Sequence, residues 1–350
     1  MSNSFILYAP NVHCGGGFVL LHALLAEWPA SVSLTAFLDA RARGCLGIAP
    51  NVQVVWVKAN AGSRLMMEFK LRQLASAETV VLCFHGLPPM LPTLAHVVVF
   101  QQNRIYLGLN SLSQFALKTR IRLIFERVVS RIFRHRVAEY IVQTPSMRQA
   151  LLKWYGERDL SRVPVVRILP FVNALPRQIK SNRLIPEWDF VYVADGEAHK
   201  NHRVLVVAWQ LLAQEGLHPS LALTLSSRDA LLKSELEAIV VEYGLQIKDL
   251  GQMPHENVLS LYATAKAMIF PSTSESFGLP LIEAAHLGLP ILASELDYVR
   301  DVCRPAQTFD PNSPVSIARA VKRFLGVPEP VLPVHTPHDF LRKLFGVAFE

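Results

Sequence analysis

Short runs of β-branched and other apolar residues recur along the chain, separated by stretches of helical periodicity. The first series comprises Phe5 to Pro10, Val32 to Phe37, Val52 to Val57, Thr79 to Phe84, His96 to Phe100 and Tyr140 to Thr144. These runs are mostly apolar rather than cleanly alternating, which fits strands of a parallel sheet covered on both faces. A second series follows Pro170: Phe190 to Ala194, Leu221 to Leu225, Ile247 to Gly251, Ala267 to Pro271 and Pro290 to Ser294. Helical stretches near 201–214, 228–243, 255–265 and 280–288 lie between its members. Two successive βαβα series predict an α/β protein of two doubly wound domains, residues 1–170 and 171–330, with a tail over 331–350. Pro170, Pro176 and Pro186 interrupt the pattern in a polar stretch, so the boundary is expected between Leu169 and Glu187.

Composition narrows the class. Of 350 residues, 51% are hydrophobic and 18% charged, too apolar for a disordered chain. The longest apolar run, around Val204 to Ala213, is broken by Gln210 and falls short of the roughly 18 residues of a membrane span. Met1 to Pro10 has no basic residue ahead of its apolar run, so no signal peptide is expected. Cys14, Cys45, Cys83 and Cys303 form no CxxC pair and read as reduced, cytoplasmic thiols. The net charge of +7 is concentrated between Lys118 and Arg136, which hold seven basic residues and one acid, Glu126. A local patch of this kind argues against a nucleic-acid binder. Apolar residues at 121, 124, 125, 128, 129, 132 and 133 fall in one helical stripe, with Arg120, Arg122, Arg127, Arg131 and Arg134 largely off it. Such a helix either buries its stripe in the core, the default expectation, or docks on an anionic membrane surface as a peripheral contact.

Candidate chemistry concentrates between Phe270 and Pro290. A strand ends near Pro271, a small polar loop runs to Gly278, and Pro280 suits the first turn of a helix. Free N–H groups and the positive end of a helix dipole beyond a strand tip make an anion site. Glu275 and Glu283, eight positions apart, are expected to face the same cleft. Carboxylates for hydroxyls beside an anion site suit a sugar nucleotide. In the first domain, Gly15, Gly16 and Gly17 end a strand and lead into an apolar helix, where backbone can approach a ligand closely.

Glu275, seven residues and Glu283, with Ser276-Phe277-Gly278-Leu279-Pro280 between them, resemble the signature of retaining glycosyltransferases of family 4, with the GT-B fold. The resemblance implies two Rossmann-like domains facing an interdomain cleft, with a nucleotide-diphosphate sugar on the second and a carbohydrate or lipid-linked acceptor on the first. It implies that Glu283 accepts hydrogen bonds from ribose hydroxyls, that Glu275 contacts the donor sugar, and that backbone N–H groups around Ser276, Phe277, Gly278 and Leu279 hold sugar and diphosphate. Lys200, followed by Asn201, matches the family's phosphate-binding lysine at a helix start. The glycine triplet matches a loop facing the donor diphosphate. His85 matches a histidine near acceptor and donor sugar, and the segment from Ile247 to His255 matches the region that cups the base.

Two departures stand out. Ala194 stands where the family frequently has an arginine, with Arg203 or His199 as the candidates to substitute, and Gln102 and Asn103 stand where many relatives have another histidine. They can donate hydrogen bonds to a sugar but cannot act as a base. No Asp-x-Asp motif or metal-ligand spacing is present, so a metal-independent reaction without cofactor is the default, and GxSxG, Walker and GxGxxG motifs are missing. The implied role is surface polysaccharide or glycolipid assembly. Its alternatives are another reaction on the same donor, hydrolysis or epimerisation, and a non-catalytic sugar- or nucleotide-binding protein. The amphipathic segment from His338 to Phe345 is expected, by the same resemblance, to cross back onto the first domain.

Overall fold

The computed structural model describes residues 4–108, 112, 117–156, 163–172 and 186–328. The tail expected over 331–350 lies outside them, as does most of the expected interdomain boundary. Among the described residues the first sheet contains β1 (Ser4–Ala9), β2 (Leu34–Asp39), β3 (Val52–Val57), β4 (Thr79–Cys83), β5 (His96–Phe100), β6 (Glu139–Val142) and β7 (Val165–Ile168). Their order is β3-β2-β1-β4-β5-β6-β7, every pair parallel. The second sheet contains β8 (Trp188–Tyr192), β9 (Leu221–Leu223), β10 (Ile247–Asp249), β11 (Ala265–Phe270), β12 (Ile291–Ser294) and β13 (Gln307–Phe309), ordered β10-β9-β8-β11-β12-β13 and also parallel.

Burial explains why the central strands read clearly. Phe190, Val191 and Tyr192 of β8 are fully enclosed, as are Ala267 to Phe270 of β11, so side chains on both faces must be apolar. The edge strands β7 and β13 escape a reading of the sequence for the converse reason. β7 has one neighbour, carries Arg167 and is largely exposed, and β13 has only three residues.

The helices are α1 (Gly15–Ala26), α2 (Ala61–Leu74), α3 (Leu117–Phe133), α4 (Pro145–Tyr155), α5 (His202–Gln214), α6 (Ala230–Tyr243), α7 (His255–Ala263), α8 (Leu279–His286), α9 (Asp297–Val302) and α10 (Pro314–Phe324). Strand order reverses between β1 and β4 in the first sheet and between β8 and β11 in the second. Loops beyond the carboxyl ends of these four strands border the two switch points, where open α/β sheets bind ligands. They carry Gly15 to Gly17, His85, Lys200 and Glu275, respectively.

One expectation is reversed. The stripe of α3 does not seat in the core: Ile121, Ile124, Phe125, Val128 and Ile132 are exposed, whereas Leu123, Glu126, Val129 and Ser130 are buried. Among the described residues no helix is long and apolar enough to cross a membrane.

His202, the first residue of α5, is buried against the Tyr192 ring at 4.8 Å, and neither ring nitrogen has a hydrogen-bond partner. Burial, reinforced by the charge of Lys200, pushes its pKa down to about 3. The unfolded chain takes up a proton near pH 6.5 that the folded chain refuses, so stability is full above that pH and falls as pH drops towards 3. Replacing His202 with Phe should flatten the loss of melting temperature between pH 6.5 and 4, measured by calorimetry.

Candidate active site

The loop from β11 to α8 is fixed before any ligand arrives. The Ser294 and Tyr298 hydroxyls donate to the Ser272 carbonyl at 2.9 and 2.7 Å. Phe277 is buried, and Gly278 closes the loop in the left-handed region at φ 75°, with Pro280 in the first turn of α8. A side chain at 278 would be strained by that φ and pressed against Leu281 at 3.1 Å. Pro280 has no N–H and the Leu281 N–H bonds the Gly278 carbonyl at 2.9 Å, so the anion-binding character of this end rests on the Leu279 N–H and the helix dipole.

The loop from β8 to α5 is stitched to it. Gly196 fits because its missing Cβ would lie 2.6 Å from the Asp229 side chain, which Ser226 holds through its N–H and hydroxyl. The turn Ala198–Lys200 follows, and Asn201 adopts φ 65°, alone among the described non-glycine residues. The His199 carbonyl accepts from the Thr273 N–H at 2.8 Å and from the Ser272 and Thr273 hydroxyls. The Asn201 amide donates to the carbonyls of Pro271 and Pro311 at 3.2 and 2.7 Å. Its side chain therefore holds the turn that presents Lys200.

Across this seam the Lys200 Nζ donates to Glu275 Oε1 at 2.8 Å, and both side chains are largely buried. Burial opposes both charges, yet each overcomes it through the other: the Lys200 pKa is raised, with Asp195 and Glu197 contributing, and the Glu275 pKa is lowered. His199 lies 4.0 Å from Glu275, but burial and the charge of Lys200 depress its pKa and favour the neutral ring. Arg203 is committed to Glu235 through two hydrogen bonds of 2.8 and 2.7 Å on the exposed side of α5. Neither residue thus supplies the cation missing at Ala194.

Glu283 is brought to a different partner. Buried on α8, it meets His255 Nε2, at the start of α7, at 2.7 Å. That hydrogen bond raises the His255 pKa against partial burial, so the contribution of the charged pair to stability is present below pH 6.5 and lost as pH rises through the folded value. Tyr262 adjoins the same carboxylate, and burial with that charge lifts its pKa. Neither His255 nor Tyr262 stands out individually in the sequence, because only the fold places α7 beside α8.

The first domain contributes the opposing loops. Gly15 and Gly16 are exposed at the start of α1, whereas Gly17 abuts the Gln102 side chain. Arg228 reaches from the second domain to within 3.9 Å of Cys14 Sγ, beside these glycines, and is a cation the sequence reading missed. His85 Nε2 meets the Tyr106 hydroxyl at 2.8 Å. Burial, assisted by Arg64 and Arg122, pushes its pKa down to about 4, leaving a neutral imidazole at physiological pH. Gln102 donates to the Phe84 carbonyl and the Asn103 oxygen caps the turn Arg104–Leu107, so each side chain has a structural task in this loop. Ser276 Oγ accepts from the Arg104 N–H at 2.9 Å, an interdomain bond that leaves its own O–H to donate. Asp301 of α9 accepts from the Ser146 N–H at the start of α4, a second link between the domains.

Residues 177–330 match the family model described as Glycosyl transferases group 1. The chain is 33% identical over 139 residues to O-antigen chain mannosyltransferase B of Escherichia coli, covering 39% of this chain and 36% of that protein. It is 31% identical over 143 residues to a serotype-specific mannosyltransferase, WbdA, of the same species, covering 40% of this chain and 17% of that protein. The chain thus matches little more than a third of the length of one relative and less of the other. A sucrose-phosphate synthase from Thermosynechococcus elongatus superposes with a TM-score of 0.66 at 17% identity, covering 92% of this chain and 89% of its own. HepE of Anabaena in complex with UDP and glucose gives 0.65 at 14% identity, covering 92% and 90%. The fold is GT-B, as expected from the sequence.

Two substitutions test the seam. Gly196→Ala should cost about 1–3 kcal/mol in denaturant unfolding, because the Asp229 side chain is locked in place. Glu275→Gln leaves the Lys200 charge without its counterion and should destabilise by about 1–3 kcal/mol at pH 7. The lowered Glu275 pKa fixes the sign: in the parent this stabilisation holds above the usual carboxyl pKa and is lost below it, so the two proteins should converge in acid.

Proposed function

We propose that the protein is a retaining glycosyltransferase of family 4 that moves a hexose from a nucleotide-diphosphate sugar to a hydroxyl of a carbohydrate or lipid-linked acceptor. The observation that carries this reading is the Lys200–Glu275 ion pair, held at 2.8 Å beside the start of α8. In this reading the diphosphate lies against the Leu279 N–H at the start of α8 and draws on the Lys200 ammonium, while Glu275 turns to hydroxyls of the donor sugar. Glu283, already oriented by His255, takes the ribose hydroxyls. Arg228, facing the glycine turn, supplies positive charge that Ala194 does not.

Transfer proceeds on the face from which the diphosphate leaves. The bond from anomeric carbon to phosphate oxygen breaks, the acceptor oxygen bonds to the same face, and the departing phosphate oxygen takes the acceptor proton. Lys200 and the helix dipole stabilise the charge that builds on that oxygen, where preorganised groups contribute most. His85, as a neutral ring beside Tyr106, orients acceptor or donor hydroxyls and carries no charge. The reaction needs no metal in this reading, the cation role falling to Lys200. The unpaired cysteines fit a cytoplasmic place of work.

The two mannosyltransferase relatives, one of them named for the O-antigen chain, support mannose as the sugar class to test and polysaccharide assembly as the setting. Purified protein should turn over one member of a panel of nucleotide-diphosphate sugars, with the anomeric configuration of the product read by NMR. Donor cleavage equally fast without any acceptor would point to hydrolysis instead. Lys200→Ala should lower kcat by roughly 10²–10³-fold with little change in donor affinity, and a loss confined to KM would count against this role.

A further inference from the structure

Helix α3 is amphipathic with its sides exchanged. Among the described residues its outer side carries Leu117, Ile121, Ile124, Phe125, Val128 and Ile132, from 46% to 72% exposed. Its inner side buries Glu126 and Ser130 together with Leu123. At 3.6 residues per turn the outer apolar residues fill an arc of about 100°, bordered by Arg120 and Arg131 on one edge and Arg122 on the other. These three arginines are exposed.

The inversion is built in by polar anchors. Arg127 donates to the Ile105 carbonyl at 2.8 Å, and Arg136, in the turn after α3, donates to the carbonyls of Pro89 and Met90. Glu68 of α2 grips the same loop by accepting from the N–H groups of Met90 and Leu91. With these bonds on the inner side, α3 cannot roll its apolar face into the core without leaving buried polar groups unpaired. α2 exposes Leu65, Met66 and Phe69, and Leu94 of the gripped loop is 79% exposed.

We propose that the outer face of α3 docks this protein on an anionic phospholipid surface, its apolar side chains entering the acyl boundary and its arginines lying at the headgroups. Charge selects this occupant. Two copies pairing through the face would set Arg120, Arg122 and Arg131 against their own kind, whereas an anionic leaflet complements them. The placement suits a lipid-linked acceptor: Arg127 ties α3 to the turn Arg104–Leu107, whose Arg104 N–H bonds Ser276 in the candidate site. Docking stands on the exposed face alone and holds whichever reaction the cleft performs.

The test is co-sedimentation of the full chain with vesicles of phosphatidylcholine alone or phosphatidylcholine with phosphatidylglycerol. The parent should bind the anionic vesicles, lose binding as salt rises, and ignore the zwitterionic ones. Arg120→Gln with Arg131→Gln should weaken anionic-vesicle binding about thirtyfold, from roughly 1 kcal/mol per basic residue near the surface. Ile121→Ser with Phe125→Ser and Ile132→Ser should abolish binding while leaving circular dichroism and melting temperature unchanged, because these side chains are exposed. Failure of the parent to bind anionic vesicles overturns the proposal, as does a triple variant that binds like the parent. Concentration-dependent self-association in sedimentation velocity, lost in the triple variant, would assign the face to a second copy and also overturn it.

Discussion

Everything in the candidate site depends on two loops from neighbouring strands of one sheet being laced together by backbone. The His199 carbonyl and the Asn201 amide reach across to 271–273, and that seam sets the distance between Lys200 and Glu275. A lysine and a glutamate removed from water need each other, since burial opposes both charges and their mutual attraction is the largest effect that offsets it. The lacing also leaves little to rearrange around the pair when charge develops there, which is what electrostatic stabilisation of a reaction requires.

Among the described residues the two domains meet through polar bonds of Ser276 with Arg104 and Asp301 with Ser146, with Arg228 beside Cys14. Such contacts exchange readily for water, so they orient the domains without locking them, which suits a cleft that must admit and release large substrates. A carboxylate from one domain at a helix start of the other, as with Asp301, is a favourable pairing of charge and dipole.

α3 shows how polar anchors can override a hydrophobic pattern. Its periodicity is strong, and periodicity alone places the stripe inward. Arg127 and Arg136, bonded to carbonyls of the first domain, fix the opposite rotation. The apolar side is then left outside, where the flanking arginines decide what it can meet.

Central strands, their parallel arrangement and the Glu275–Glu283 segment were legible in the sequence because full burial demands unbroken apolar runs and because a loop, glycine and proline in that order dictate a strand-to-helix turn. Edge strands β7 and β13 were not legible, being short or covered on one side only. The partners of each charge were equally out of reach: that Glu283 meets His255, that Arg203 is spent on Glu235, that Asn201 binds carbonyls, and that Arg228 faces the glycine turn. Residue type and spacing set which groups a chain can offer. Which of them meet is decided by helix rotation and sheet order, because those bring together side chains dozens to hundreds of positions apart that no local pattern links.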